Sequence, residues 1–257
     1  MTAGIGRLAL GFAQLLALWQ LVAWLRLVPE AYFPPPFALL ESIADLTRRG
    51  ELWPAIAVTF ARACIGLAAS IAAGLALAML AARYRMLGRA LTPVADLLRS
   101  LPPAAITPIS IFFLGLGWKL YAFILIFACI WPIFLNAHAA LDAVANQQLA
   151  TARVYGYEGW TRMLRVQLPA ALPDTFIGIR LAAAVALIAE IAAEMLAGRD
   201  GLGHLMSDAA FSLRIPDTFV GLVAAIILGV AMNLIVVASR HLLVGWHATM
   251  TITNRGA

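Results

Sequence analysis

Charge is scarce in this 257-residue chain: 12% of its residues are Asp, Glu, Lys or Arg, about half the share usual in a soluble domain. Lysine is nearly missing. Lys119 stands alone against seventeen arginines. The phosphate loop of P-loop NTPases ends in Gly-Lys-Ser/Thr, because that lysine must reach the β- and γ-phosphates. Lys119 follows Gly115-Leu116-Gly117-Trp118 and precedes Leu120, so the chain has no such loop and cannot hydrolyse ATP by that route. Cysteine is limited to Cys64 and Cys129, both inside apolar runs, which argues against a disulfide framework and leaves two small residues for packing. No His-Glu-x-x-His occurs, and His138, His204, His241 and His247 show no ligand spacing with cysteine, so no metal site is expected. A Gly-x-Ser-x-Gly elbow is also missing. Basic residues form no run interleaved with aromatics, so nucleic acid is not an expected partner. Neither enzymatic activity nor a bound cofactor is expected of this chain.

What the chain has is apolar length. Hydrophobic residues make up 63%, and the mean hydropathy is +0.91. A membrane-spanning helix needs about 20 mostly apolar residues, and the sequence divides into six such runs. The first covers 8–28 and is closed by Pro29. Residues 34–50 are too short and too charged to span, but Leu39, Leu40, Ile43 and Leu46 recur at helical spacing, which predicts an amphipathic surface helix. The remaining five spans form a core over 52–246: Leu52–Ala82, Ala90–Leu114, Leu120–Leu141, Pro173–Ala197 and Asp217–Ser239. A basic loop is predicted at 83–89, a polar loop at 198–216 and a short tail from Arg240. The prediction is an all-α polytopic membrane protein in one domain, 1–257.

Six spans place both termini on one side. That side collects nine arginines in short loops (7, 83, 85, 89, 153, 162, 165, 240 and 255), and the other side six basic residues against seven acidic ones. The positive-inside rule then puts the termini and the 142–172 stretch in the cytoplasm.

Four features could carry function. The stretch 142–172 clusters Tyr155, Tyr157, Trp160 and Met163 around Arg153 and Gly156, and returns through Pro169 and Pro173. It is either a docking surface for a cytoplasmic partner or a membrane-surface helix with its aromatics among the lipid headgroups. Glu190 and Glu194 are four residues apart and share one face of the fifth span. Carboxylates there face protein or a water-filled cavity, as pathway groups or as a structural pair with Arg62, Arg180 or backbone. Arg62 lies two to three turns into the second span, either to meet an anion or to close a buried ion pair. Pro93, Pro102, Pro103 and Pro108 fall in one span, where each removes a backbone donor. They predict a broken helix, either gating a cavity or simply fitting its neighbours.

The order of short motifs resembles a known family. Ala152-Arg153-x-x-Gly156 with Val166-x-Leu168-Pro169 is similar to the EAA loop of ABC-importer permeases. Thr59-x-x-Arg62, Leu98-Arg99-Ser100-Leu101-Pro102, Phe113-Leu114-Gly115-Leu116-Gly117, Pro132-Ile133-Phe134-x-Asn136, Gly178-x-Arg180 and Glu194-x-x-x-Gly198-x-x-Gly201-Leu202-Gly203 resemble the nitrate/sulfonate/taurine permeases. The resemblance implies a permease half in the bacterial inner membrane that pairs with a second copy, simplest as a homodimer. It also implies two ATPase subunits that hold ATP and Mg, and a periplasmic substrate-binding protein. A coupling helix is implied near Leu149–Gly156, with Ala152, Arg153, Tyr155, Gly156, Tyr157 and Trp160 as ATPase contacts. The glutamate that names the EAA motif is replaced by Ala150. Arg62, Arg99, Arg180, Glu190 and Glu194 are the candidates for the translocation path, and Pro102, Pro103 and Pro108 for a gate or kink. Two other readings compete: an ion-coupled carrier using Glu190 and Glu194, and a membrane scaffold without a pathway.

Overall fold

The computed structural model describes residues 11, 14, 17–25, 29 and 32–253, with side chains to 244. Ten of the 21 residues of the first expected span, 8–28, lie outside the described residues, as do Arg7, Arg26, Glu30 and Arg255; within that span residues 17–24 are helical. The architecture is all-α.

Helix α1, Pro36–Arg48, is the expected amphipathic helix. Pro36 suits its first turn, where a backbone donor has no partner to lose. Leu39, Ser42 and Leu46 turn inward while Phe37 and Leu40 stay exposed. The buried stripe packs with Leu52 and Val220. Helix α2 (Leu52–Arg83) follows, then α3 (Arg85–Leu98), α4 (Pro103–Leu114), α5 (Trp118–Asp142) and the short α6 (Asn146–Val154). A second short helix, α7 (Gly159–Arg162), runs through a π-turn at Met163–Gln167 into α8 (Leu168–Ala197). Helix α9 (Leu202–Phe211) and α10 (Ile215–Thr253), kinked at Val244, complete the chain.

Among the described residues α2, α5, α8 with its preceding turn, and α10 to Val244 are long and apolar enough to cross a membrane. The pair α3–α4 makes a fifth candidate, bent by 101° at its break. The core lies where α2, α5 and α8 meet, around Leu67, Leu125, Ile133, Ile179, Ala182 and Ala186. Small residues set the spacing there. A Cβ on Gly74 would lie 2.8 Å from the Ile133 side chain, and one on Gly178 would lie 2.6 Å from the Pro132 carbonyl oxygen. Without a hydrophobic drive between helices in lipid, such close backbone approach and its van der Waals contact hold the bundle.

Three boundaries differ from the sequence reading. The predicted basic loop 83–89 is not a loop: only Tyr84 is extended, and Arg85 already starts α3. Gly88 in that helix meets the His138 imidazole on α5, which packs the segment against the bundle. The fifth span begins at Leu168, so Pro173 sits inside α8 instead of opening it. The polar stretch 198–216 contains α9, a helix with Leu202, Gly203, Ser207 and Ala209 buried. Its N-terminus is capped by side chains from outside the 198–216 segment.

Candidate functional site

At the α8 C-terminal end, side chains from distant segments close into one cluster. Gly201, at φ +91°, turns the chain after α8 so that α9 starts back against it. A backbone with φ > 0 is open to glycine at little cost. The first N–H groups of α9 have no helical partner. Here Leu202 N–H donates to Thr59 Oγ1 at 2.8 Å, and Gly203 N–H donates to Glu194 Oε2 at 3.0 Å. Thr59 in turn donates to the Glu194 carboxylate at 2.8 Å. A carboxylate at a helix N-terminus also meets the positive end of the helix dipole. Thr59 and Glu194 therefore cap α9 from outside it, which no local pattern within 198–216 could announce.

Arg62 locks this cap. Its guanidinium lies 3.4 Å from Glu194 and 2.9 Å from Asp200, and stacks over Tyr121 at 4.2 Å. Its Nε is 4.0 Å from Glu190. Glu190 and Glu194 are both fully buried. Among the described residues neither Glu190 carboxylate oxygen has a hydrogen-bond partner. The structure thus brings together three of the five residues expected along the translocation path. It pairs the glutamates with Arg62, and not with Arg180. Thr59 is the member that reading charges alone missed; its place three residues before Arg62 was the available signal.

Arg99 and Arg180 lie elsewhere. The link between α3 and α4 is a tight turn in which Ser100 and Leu101 donate back to Leu97 and Leu98. Pro102 precedes α4, Pro103 opens it and Pro108 lies inside it. Two prolines at the restart end α3 and fix the new direction. The corner encloses a cavity of about 500 Å³ with Arg99, Ser100, Pro102 and Pro103 on one side and Pro132 and Ile188 on the other. Arg99 reaches Asp96 at 3.1 Å and remains half exposed. Arg180 donates to Asn233 at 2.9 Å and lines a second cavity of about 540 Å³ with Arg240 and His241.

The 142–172 stretch is an ordered lobe at the opposite end from the Arg62 cluster. Helix α6 ends at Val154, and Gly156 turns the chain at φ +76°. The N–H groups of Gly156 and Tyr157 close the turn onto the Arg153 and Ala152 carbonyls at 2.9 Å. Val154 and Tyr155 are 86% and 76% exposed and Trp160 is 43% exposed, a protruding apolar edge on a short helix. Tyr157 is half-buried, with the Arg165 guanidinium 5.8 Å from its ring. Ala152 faces inward, 4% exposed, and so packs the helix onto the lobe.

Residues 70–245 match the family described as binding-protein-dependent transport system inner membrane component. The taurine transport system permease protein TauC of Escherichia coli is 26% identical over 252 residues, covering 96% of this chain and 90% of its own. The nitrate import permease protein NrtB of Leptolyngbya laminosa is 29% identical over 244 residues, covering 90% and 86%. In fold, the chain is similar to an inward-facing structure of the MetNI methionine ABC transporter, with a TM-score of 0.51 and 17% identity over 80% of this chain and 97% of that one. These relatives are transport permeases, not enzymes, and they disfavour the ion-coupled carrier and the scaffold. With two thirds of its length inside the matched region, the chain belongs to the binding-protein-dependent transport inner-membrane components and is a permease of an ABC importer.

Proposed function

We propose that the chain carries a small anion of the sulfonate, taurine or nitrate class across the inner membrane by alternating access. Two copies pair around the path, simplest as a homodimer. Each docks one ATPase subunit, which holds the ATP and Mg, on the 142–172 lobe through Arg153, Tyr155, Gly156, Tyr157 and Trp160. A periplasmic binding protein delivers the solute at the other face, and both termini are cytoplasmic. ATP binding on the partners shifts a two-state equilibrium between inward- and outward-open forms through differential affinity.

The observation that carries this reading is the proline-broken corner at Arg99. Broken backbone at membrane depth is tolerated where it lines a cavity. This corner lines one of about 500 Å³ with a half-exposed guanidinium at its wall. A guanidinium forms charge-assisted hydrogen bonds with an oxyanion. Arg180, beside the neighbouring cavity, is a second anion contact. Glu190 and Glu194, fully buried, hold the helices that frame the path instead of lining it. The relatives that carry taurine and nitrate support the solute class.

The test is co-expression with the candidate ATPase subunits, purification, and reconstitution in bilayer discs with loaded binding protein. We expect the ATPase to co-purify and its rate to rise several-fold with binding protein. In vesicles, Arg99→Gln raises the half-saturating anion concentration about tenfold, the loss of one charge-assisted hydrogen bond. Failure of any ATPase to co-purify sinks the docking assignment. An unchanged anion dependence in Arg99→Gln sinks the path assignment.

A further inference from the structure

A cavity of about 690 Å³ lies at the coupling end, between the α2–α3 corner, the end of α5, and the α6–α7 lobe. Arg83, Arg85, Arg89, Arg153 and Arg162 line it. Asp142 is the sole carboxylate among the lining residues. Among the described residues none of these five guanidiniums forms an ion pair or donates a side-chain hydrogen bond within the chain. Among the described residues two nitrogens of wall residues, Arg162 Nε and His138 Nδ1, are buried without a hydrogen-bond partner. Five like charges around one hollow repel each other, and an anion held there offsets that repulsion.

The wall selects the class of anion. One carboxylate or one sulfonate answers only one of the five guanidiniums. A phosphate group offers several acceptor oxygens and up to two charges, and guanidinium forks bind it in bidentate fashion. The volume exceeds that of one phosphate and suits a phosphate-bearing headgroup or a pair of linked phosphates. Basic pockets between transmembrane helices on the cytoplasmic side are where anionic lipid headgroups lodge.

We propose that this cavity binds a phosphate-class polyanion, supplied either by an anionic lipid headgroup or by a soluble phosphate compound. The ligand ties Arg153 on α6 to Arg83, Arg85 and Arg89 on the α2–α3 corner, and so steadies the coupling helix against the bundle. Neither the identity of the solute nor ATPase docking enters this assignment.

The experiment uses the full chain purified in neutral detergent and in bilayer discs. Pyrophosphate is titrated calorimetrically against the detergent-solubilised protein. In parallel, native mass spectrometry reads phosphatidylglycerol retained from mixed phosphatidylglycerol/phosphatidylcholine discs. The variants are Arg85→Gln with Arg89→Gln, the charge-preserving Arg85→Lys with Arg89→Lys, and Arg48→Gln on α1 as a basic-residue control outside the cavity. We expect the Gln pair to weaken binding at least tenfold, the Lys pair to weaken it less, and Arg48→Gln to leave it within twofold. Retention of lipid alone names the headgroup as the source, and pyrophosphate binding alone names a soluble ligand; either supports the site. Absence of both overturns it. So does equal weakening by Arg48→Gln, which would mean a diffuse charge effect. If the Gln pair does not fold, Arg162→Gln decides on the same threshold. A cavity blind to both anions whose Gln pair still loses the co-purified ATPase would be a protein contact, and that too overturns the proposal.

Discussion

The two ends of the molecule use arginine in opposite ways. At the α9 end Arg49, Arg62 and Arg214 are all consumed by carboxylates. Arg49 meets Asp45 and Asp217, Arg62 meets Glu194 and Asp200, and Arg214 meets Asp208 and Asp217. Ser42 on α1 joins the same network through Asp217. At the coupling end five arginines surround one cavity, and none has a carboxylate of its own among the described residues. About 30 Å of α2 separates Arg62 from Arg83 at its 1.5 Å rise per residue. One end is finished at Arg49, Arg62 and Arg214 within the single chain, with the Glu190 oxygens left without a hydrogen bond among the described residues. The other leaves its five arginines without carboxylates of their own. That contrast suits a permease whose coupling face is built for partners, and it makes the two ends respond differently to mutation.

The largest effect should come from breaking the finished end. Glu194→Ala removes the cap of α9 and leaves Arg62 short of one buried partner. Breaking a buried pair from one side costs about 3–5 kcal/mol. The expected result is a strong drop in the thermal midpoint of the detergent-purified protein, with proteolysis near 198–216. Glu194→Gln, which can still accept the Gly203 N–H, should lose less. A midpoint equal to wild type for Glu194→Ala would dissolve the distinction between the ends. Next in size is the seam that joins them. Gly178→Ala pushes a methyl group to within 2.6 Å of the Pro132 carbonyl oxygen, and overpacking of this kind costs about 1–3 kcal/mol. The destabilisation should appear in the same melt, without selective loss of ATPase binding.

The two ends also differed in how much of them could be read from sequence. Apolar runs gave α2, α5, α8 and α10, because a lipid-facing helix must be apolar over its whole length. The 142–172 lobe was legible in part. Gly156 marks a φ > 0 turn, a local signal, but the helix after the lobe starts at Leu168 and not at the expected Pro173. The finished end was not. Its pieces, Thr59 and Glu194, are separated by 135 residues, and their meeting depends on how α2 packs on α8. Helix α9 stayed hidden because a polar stretch with a remote cap looks like a loop. The spacing of Glu190 and Glu194 did reveal a shared face, but not that Arg62 would be the arginine facing it. The prolines foretold a break between α3 and α4, and the 101° bend is a property of the packing around it.

Within the unfinished end the effects on stability should shrink while those on coupling grow. Gly156→Ala places a Cβ on a residue at φ +76°, at a cost of about 1–2 kcal/mol. No other atom lies within 4 Å of that Cβ, so the strain is purely in the backbone. The melt should shift slightly, and binding-protein-stimulated ATPase should fall, because the angle between α6 and α7 is set at this residue. If ATPase stimulation is kept while stability falls, Gly156 belongs to the fold alone.

The smallest effect on the isolated chain tests the comparison most directly. Tyr155→Ala with Tyr157→Ala removes one exposed and one half-buried ring from the lobe. Changes at exposed surface positions usually stay within about 0.5 kcal/mol, and Tyr157 loses its contact with the Arg165 guanidinium. The melting midpoint should therefore stay close to that of wild type. Co-purification of the ATPase should fall steeply, since exposed aromatics contribute little until a partner buries them. The opposite pattern, a destabilised chain that still holds its ATPase, would show that the aromatics serve the lobe itself. The coupling face would then have to be sought among Arg153, Val154 and Trp160, which are exposed on the same lobe.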